Sequence, residues 1–453
     1  MEELNIFWFR RDLRLYDNSG LSEATNGKLK VIPLFIFDTS ITDKLPHDDR
    51  RINFIYDNLK KMDKDLKKDF NSSISVFKGN PTEIFDKITS EYKINTVYTN
   101  NDYEPYAISR DNSIKKILSD KNIEFKSFKD QVIFEKNEVV KDDGKPYVVY
   151  TPYMRKWKSI FNEDLTCINE KKVSSNFYDK SISNLLDLKN YGFYENKNKI
   201  VPFKLNSKIV EEYAETRNFP SLNSTSKIGP YLRFGTVSIR KVVSGLLSFK
   251  DETFLNELIW REFFMQILYH FPHTATNSFK PKYDKIVWLN EPKSLEAWKK
   301  GETGFPLVDA GMRQLKAVGF MHNRVRMVTA SFLVKDLHQD WRRGADYFMS
   351  QLLDGDVASN YLNWQWVAGT GTDSNPHRIL NPTTQAQRFD GEGKYIQKWV
   401  PELSDLTPSQ AIDPPYELRE KTGYPLPIVD HHKQVEMFKQ RRLAANQDSK
   451  VAN

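Results

Sequence analysis

The residues best suited to chemistry stand between positions 354 and 366, where two carboxylates, an amide and two indoles fall within thirteen residues. The carboxylates are Asp354 and Asp356, the amide is Asn360, and the indoles are Trp364 and Trp366. Carboxylates and amides supply hydrogen bonds, and indole rings pack against planar ligands. This combination suits a bound redox cofactor better than a plain hydrophobic core.

A second group lies in the segment Glu257-Leu-Ile-Trp260. The spacing of three residues places both side chains on one face of a helix. In a cavity that admits a planar ligand, Trp260 could stack on a base while Glu257 hydrogen-bonds the edge of a ring. An isolated Glu-x-x-Trp is more often a core indole beside a solvated carboxylate, so the residues alone leave both interpretations open.

A third group includes Asn323 and Met327, which share a helical face because they are four residues apart, and Arg324 and Arg326, which diverge from it. By itself such a cluster is most often a helix surface with capping or ion-pairing roles. Upstream, the hydroxyl run 224–226 precedes a predicted helix start, an arrangement that can bind a diphosphate but more often only caps the helix.

Together these segments resemble the DNA photolyase and cryptochrome family. The resemblance spans nearly the entire chain, from Trp8-Phe-Arg-Arg-Asp-Leu-Arg to Trp399-Val-Pro-Glu-Leu. It implies FAD as the cofactor and light-driven splitting of cyclobutane pyrimidine dimers in DNA. An Asp-x-Asp pair could also suit a divalent metal, but no His or Cys clusters with it, so we expect no metal site.

The resemblance assigns residues to the flavin site. It implies that Arg326 pairs with Asp354 beside the flavin and that Asn360 faces flavin N5. The implied flavin contacts are Tyr213, Thr225, Ser226, Lys227, Ile228, Gly229, Arg326, Asp354, Gly355, Asp356 and Asn360.

It also assigns residues to DNA and to catalysis. The matching Glu257 would hydrogen-bond the pyrimidine dimer, and Trp260 would pack against it. With Asn360, Glu257 and Met327 are the expected catalytic residues. The implied DNA or lesion contacts are Arg217, Glu257, Trp260, Asn323, Arg324, Met327, Trp366 and Gln385.

Three indoles, Trp364, Trp341 and Trp288, match those along which photolyases pass an electron from the surface to the photoexcited flavin. Their spacing in sequence does not show whether they stack into a chain. The alternative is that these three of the nine tryptophans only pack in the core.

The resemblance leaves alternatives for the lesion that is repaired. Asn360 matches photolyases rather than plant cryptochromes, and Trp260 with Met327 favours cyclobutane dimers. A cryptochrome-like blue-light receptor, and a (6-4) or single-strand-specific photolyase, remain alternatives.

The identity of an antenna chromophore also stays open. Segment 101–107 lacks the Asn-Glu pair of folate-using relatives, which weakens the case for folate. A deazaflavin, a second flavin or an empty antenna site remain possible.

The elements that must position these residues fall into two classes. Apolar runs at Leu4–Phe9, Val31–Phe37, Ser73–Phe77, Thr96–Thr99 and Gln131–Phe134 alternate with helical patterns and predict a doubly wound parallel sheet. From about residue 208 the pattern is helical throughout. We therefore predict an α/β domain over 1–130, a connection over 131–207, an all-α FAD-binding domain over 208–437 and a frayed polar tail over 438–453.

The net charge of the chain bears on its binding partners. The chain has 453 residues and a net charge of +7, which is compatible with a polyanionic partner such as DNA. The N-terminus lacks a signal peptide, no apolar run reaches membrane-spanning length, and the single cysteine, Cys167, favours a reducing compartment. We expect a cytoplasmic monomer without membrane association.

Overall fold

A computed structural model describes residues 2–166, 174–196, 201–375 and 378–451, with side chains as far as Leu443. Cys167, from which the reducing compartment is expected, lies outside the described residues. None of the helices within these ranges is long and apolar enough to cross a membrane.

The N-terminal part of the chain forms a five-stranded parallel sheet. Its strands are β1 (Glu3–Phe9), β2 (Val31–Asp38), β3 (Ser75–Gly79), β4 (Lys93–Asn100) and β5 (Glu124–Phe128). They lie in the order β3-β2-β1-β4-β5, and every neighbouring pair is parallel. Every residue of β2 is buried, as expected of a strand that is covered on both faces. The predicted α/β fold class is confirmed.

The fifth strand is not where the apolar pattern placed it. No strand occurs at Gln131–Phe134, and β5 occupies Glu124–Phe128 instead. The N–H groups of Ile133 and Phe134 donate to the Glu262 carboxylate at 2.8 and 3.2 Å rather than to a neighbouring strand. The prediction was wrong because a buried loop satisfied by a side chain shows the same apolar run as a strand.

Helices make up most of the remaining chain. Asn or Asp caps the N-termini of many of them, and proline stands in the first turn of others, which are the residue types that favour helix starts. The helices are α1 (Ser19–Thr25), α2 (Thr39–Thr42), α3 (Arg50–Phe70), α4 (Pro81–Glu91), α5 (Pro105–Asp120), α6 (Tyr150–Ile160), α7 (Ser207–Glu211), α8 (Tyr213–Thr216), α9 (Gly229–Arg233), α10 (Ile239–Leu246), α11 (Thr253–His270), α12 (Pro292–Lys300), α13 (Pro306–Val318), α14 (Asn323–Lys335), α15 (Trp341–Gln351), α16 (Val357–Ala368), α17 (Pro382–Phe389), α18 (Lys394–Trp399), α19 (Pro408–Ile412), α20 (Tyr416–Thr422) and α21 (His431–Val451). Short 3-10 helices occupy Glu163–Thr166, Leu188–Tyr191, Pro272–Ala275, Pro281–Lys285 and Pro401–Leu403.

The chain divides into two compact units that interleave along the sequence. The first unit comprises Met1–Pro146, Tyr153–Phe203 and Ile228–Tyr269. The second unit comprises Tyr147–Pro152, Lys204–Lys227 and His270–Asn453. This division differs from the predicted boundaries at 130 and 208, because α9, α10 and most of α11 belong to the first unit.

The core of the second unit is rich in aromatic rings. Trp298 and Trp341 are fully buried, and Trp364 is nearly so. These indoles belong to α12, α15 and α16, which pack together with α13 and α14.

The last helix, α21, packs on the second unit through a stripe of side chains. His431 contacts the Asp336 carboxylate at 2.5 Å, and Phe438 is buried. Arg442 donates to the Gly369 carbonyl at 2.7 Å. The helix extends to Val451, within the segment 438–453 for which the sequence predicted a frayed polar tail.

Candidate functional site

The predicted pair of Arg326 and Asp354 is present in the second unit. Arg326 Nη2 donates to both carboxylate oxygens of Asp354, at 3.1 and 2.9 Å. Its Nε donates to the Met321 carbonyl at 2.7 Å, which fixes the direction of the guanidinium. The sequence makes this possible because Arg326 stands in the first turn of α14 and Asp354 in the loop before α16. A fixed guanidinium beside a carboxylate offers a charged edge to a ligand.

Asp356 and Asn360 begin α16. Asp356 is its N-cap and accepts from the Ser359 N–H at 2.9 Å. The Asn360 amide is buried and its Nδ2 donates to the Ala345 carbonyl of α15 at 2.9 Å. A carbonyl only accepts hydrogen bonds, so the Nδ2 end must face Ala345. Asn360 therefore turns its Oδ1 acceptor away from α15.

The three predicted electron-transfer indoles differ in burial. Trp364 and Trp341 are buried, whereas Trp288 is half-buried and packs on the same core cluster. Trp341 meets Tyr361 of α16 edge-on, with ring centroids 6.4 Å apart. Of the three indoles, Trp288 is therefore the one that reaches the surface of the second unit.

Gly344 and Trp298 hold Trp364 in place, and the sequence patterns did not indicate either. A Cβ at Gly344 would lie 2.2 Å from Cη2 of Trp364, so only glycine lets that indole lie against α15. Trp298 meets Trp364 edge-on at 6.1 Å and donates from Nε1 to the Thr329 carbonyl at 3.1 Å. Neither residue could be found from sequence, because both contacts depend on how separate helices pack against one another.

A group of guanidiniums surrounds Arg324. Its Nη2 donates to Asn218 at 2.6 Å and its plane lies over the Phe389 ring at 4.4 Å. Burial and the charges of Arg378, Arg217 and Arg388 lower the pKa of Arg324. Guanidiniums gathered this closely favour an anionic ligand.

Several polar atoms beside this group are buried without a hydrogen-bond partner among the described residues. They are Arg324 Nε, Gln385 Oε1 and His322 Nε2. Burial, with the charges of Arg326 and Arg324, lowers the pKa of His322 to about 4, so its ring is neutral near pH 7. Orphaned groups of this kind mark places where a ligand or water completes the hydrogen bonding.

The remaining predicted lesion residues of the second unit are accessible. Asn323 is exposed and Met327 half-buried on the first two turns of α14. Trp366 is half-buried, donates to the Asp373 carbonyl at 3.1 Å and lies under the Arg378 guanidinium at 5.1 Å.

The predicted diphosphate residues lie in a positively charged segment. Ser226 is buried, Thr225 is half-buried, and Tyr213 lies under the Arg217 guanidinium at 5.8 Å. Lys227 adopts a left-handed backbone conformation, and burial with the charges of Lys398 and Lys204 lowers its pKa. The next residues, Ile228 and Gly229, belong to the first unit and lead into α9.

The first unit carries Glu257 and Trp260 on α11. Both are half-buried and one turn apart, as predicted, and Trp260 packs on Phe264 at 5.4 Å. Glu262 on the same helix is fully buried and accepts from the Trp157 indole at 2.6 Å. Burial raises the pKa of Glu262 to about 7 despite these donors. Glu262 is therefore a structural carboxylate, whereas Glu257 is accessible to a ligand.

No group of three or more His, Cys, Asp or Glu side chains in the described ranges is arranged to hold a metal ion.

Comparisons with known proteins give the family. The DNA photolyase family model matches residues 5–170, and the model for the FAD binding domain of DNA photolyase matches residues 254–444. A deoxyribodipyrimidine photo-lyase of Synechococcus sp. is 33% identical over 96% of this chain and 95% of its own length.

Solved photolyase structures are similar to this chain over nearly its entire length. A class III photolyase from Agrobacterium tumefaciens superposes with a TM-score of 0.84 at 32% identity, covering 99% of this chain and 98% of that one. A photolyase from Sulfolobus tokodaii with two FAD molecules, which imply a novel light-harvesting cofactor, gives 0.84 at 33% identity and covers 98% and 100%.

Proposed function

The chain belongs to the DNA photolyase family, and from this membership we propose that it splits cyclobutane pyrimidine dimers in DNA under near-UV or blue light. One observation carries the proposal. Asn360 and Trp364 are both buried and stand four residues apart on α16, so a cofactor contact and an oxidisable indole share one helical face. A single rigid helix would then serve both the cofactor and its electron supply.

The chain binds FAD, and the residues of the second unit fit it. The charged segment around Lys227 suits the diphosphate, and the Arg326–Asp354 pair and the Asn360 Oδ1 suit a ring with polar edges. When bound and reduced, FAD supplies the light-driven electron that splits the dimer. The protein's part is to bind and orient this ring and to hold Asn360 as an acceptor towards it.

The guanidinium group around Arg324 would bind DNA phosphates. Arg217 and Arg324 are the proposed contacts, and Gln385 with its orphaned Oε1 would bind the lesion strand. A dimer stacks poorly, so extruding it from the duplex costs only a few kcal/mol, which favours damaged over intact DNA.

We propose five further side chains as contacts to the lesion. Asn323, Met327 and Trp366 are three of them. Glu257 would hydrogen-bond the pyrimidine edge, and Trp260 would pack on the dimer.

The repair assay that tests this uses one oligonucleotide with a thymine cyclobutane dimer and a matched one with a (6-4) product. We expect light-dependent loss of the cyclobutane dimer only, in both duplex and single-stranded DNA. Glu257→Gln should slow repair at unchanged FAD content, while the exposed control Glu302→Gln should not. Repair of the (6-4) product alone would overturn the lesion class, and absence of repair with retained FAD photochemistry would favour a blue-light receptor.

Trp364, Trp341 and Trp288 would bring electrons to the oxidised cofactor. Trp364→Phe should abolish light-driven reduction of bound oxidised FAD but preserve repair after chemical reduction. Trp399→Phe, which changes another partly buried indole of the second unit, is the matched control. Equal photoreduction by Trp364→Phe and the parent would remove this role.

A second chromophore is proposed as a light-harvesting antenna, as in the Sulfolobus tokodaii relative with two FAD molecules. The candidates for this antenna chromophore are a deazaflavin and a second flavin. Extraction of the purified protein, with chromophores counted against the chain, decides between one and two pigments.

A further inference from the structure

The surface around Trp288 is unusually apolar. Val287 is 76% exposed and Leu289 49% exposed, and the half-buried indole lies between them. The Leu289 N–H donates to the His338 carbonyl at 2.9 Å, so the backbone of this strip is tied to the body of the second unit. The exposed side chains are thus held by a fixed backbone.

Cations surround this strip. Lys282 and Lys285 are exposed in the 3-10 helix just before it. Arg441 of α21 donates to the Val287 carbonyl at 3.2 Å, and Arg343 of α15 donates to the Asn290 carbonyl at 3.3 Å. Each of these bonds uses a neutral acceptor, so the guanidinium charge is not cancelled.

Cations also lie against Tyr283, at the base of the strip. The Arg442 guanidinium is 4.2 Å and the Lys282 ammonium 4.9 Å from the centroid of its ring. Burial acts to raise the pKa of this phenol, but the charge and hydrogen bond of Arg442, with the charges of Lys282 and Lys280, lower it.

Carboxylates near this strip in sequence are already engaged. Asp284 is bound by Arg342. Glu291 caps α12 by accepting from the N–H groups of Lys293 and Ser294. Asp284 is ion-paired, whereas Glu291 keeps its negative charge because its donors are neutral N–H groups. Lys282, Lys285, Arg343 and Arg441 outnumber that charge, so the strip presents an aliphatic centre with a basic rim.

We propose that this Trp288 surface docks an acidic electron-carrier protein. The inference rests on the proposed role of Trp288 as the outer indole of the electron route. The carrier would give one electron to the oxidised indole, which restores neutral tryptophan, while the carrier's redox centre is oxidised by one electron. A basic rim steers an acidic partner, and small interfaces with charged rims are typical of transient redox complexes.

The shape and chemistry of the strip favour a protein over other ligands. Small molecules bind in concave sites, whereas Val287 projects with three quarters of its side chain in solvent. DNA binding draws chiefly on phosphate contacts, for which exposed aliphatic side chains contribute little. An apolar centre matches the exposed surface around a protein redox centre.

The test measures binding of the FAD-loaded protein to two small electron carriers in the dark. The probes are an acidic plant-type ferredoxin and the basic cytochrome c. We expect the ferredoxin to bind with an affinity that falls as salt is added, and cytochrome c not to bind. Lys282→Glu/Lys285→Glu should weaken ferredoxin binding by about tenfold or more and allow cytochrome c to bind. The control Lys115→Glu/Lys116→Glu reverses two exposed charges of the first unit and should change neither.

Each other outcome overturns the proposal. Ferredoxin binding that ignores the Lys282/Lys285 reversal would place the partner elsewhere, and competition by a DNA duplex of equal charge would make the strip a nucleic-acid surface. Because binding is measured in the dark, it is independent of the electron route that Trp364→Phe tests. Failure of photoreduction through the indoles with intact ferredoxin binding would remove the electron role and leave only a contact surface.

Discussion

The two units each contain a group of buried or half-buried arginines, and the groups differ in what compensates them. In the first unit, Asp130 accepts from Arg14 at 2.7 and 2.8 Å and from Arg240 at 2.8 Å. Burial acts to raise the pKa of Asp130, but the two guanidiniums hold it below its usual value. In the second unit, Arg324 neighbours other arginines and donates to the neutral Asn218 side chain.

The difference separates architecture from function. A guanidinium whose charge is cancelled by a buried carboxylate fixes the fold, because both groups have already found their partners. A guanidinium kept among like charges is destabilising unless an anion arrives, and selection for stability alone would not retain it. The first group should therefore control stability, and the second should control binding.

The largest expected effect is on the first group. Asp130→Ala should lower the free energy of unfolding by about 3–5 kcal/mol, because it leaves the buried Arg14 guanidinium without its carboxylate and leaves Arg240 with Asp17 alone. Urea denaturation measures this, and Asp86→Ala, which removes an exposed ion pair with Lys121, should cost less than about 1 kcal/mol. Equal effects of the two variants would erase the distinction between a buried and an exposed pair.

Glu262 sharpens the comparison, because it is a buried carboxylate that binds neutral donors instead of a guanidinium. Its folded pKa of about 7 lies above the ordinary value of 4.5. The associated stability is therefore fully present below pH 4.5 and is lost as the pH rises to about 7, by roughly 3 kcal/mol. Unfolding measured from pH 4.5 to 8 should show this fall in the parent and a flatter profile in Glu262→Gln. A parent profile that rises over this window would contradict the raised pKa.

Asp354 also forms a carboxylate–guanidinium pair, with Arg326 of the second unit. We propose that this pair contacts FAD, which distinguishes it from the pairs of Asp130. Asp354→Ala should weaken FAD retention by about 1.5–3 kcal/mol, roughly 10- to 150-fold, because Arg326 loses its charged partner. Equilibrium dialysis of FAD measures the change, and the exposed Asp405→Ala is the control. Unchanged FAD affinity together with lowered stability would class this pair with the structural group.

The sequence predicted single elements and one family-specific ion pair better than it predicted contacts between separate elements. Most of β1 to β4 followed from apolar runs, and the Arg326–Asp354 pair followed from the family resemblance. The strand expected at Gln131–Phe134 failed because its burial depends on Glu262, which lies about 130 positions away. The fit of Trp364 against α15 could not be predicted either, since it needs a glycine on another helix.

The smallest expected effect is on Arg324, and it isolates the function of the arginines near it. Arg324→Ala should change the unfolding free energy by no more than about 1 kcal/mol, because loss of the Asn218 hydrogen bond and the Phe389 contact is offset by relief of repulsion from the neighbouring arginines. It should weaken binding of dimer-containing DNA by about 1–2 kcal/mol and reduce the slope of log affinity against log salt by about 0.9, as loss of one phosphate contact requires.

Intact DNA supplies the internal control for this variant. A phosphate contact carries no sequence or lesion information, so damaged and intact duplexes should lose affinity by the same factor. Arg324→Lys should restore most of the salt slope, because it returns one positive charge, but less of the affinity, because an ammonium lacks the planar fork of guanidinium. A loss confined to damaged DNA with an unchanged salt slope would show that Arg324 contacts the lesion instead. The Arg324 charge would then act through recognition of the dimer, and the phosphate-binding role would pass to Arg217 or Arg388.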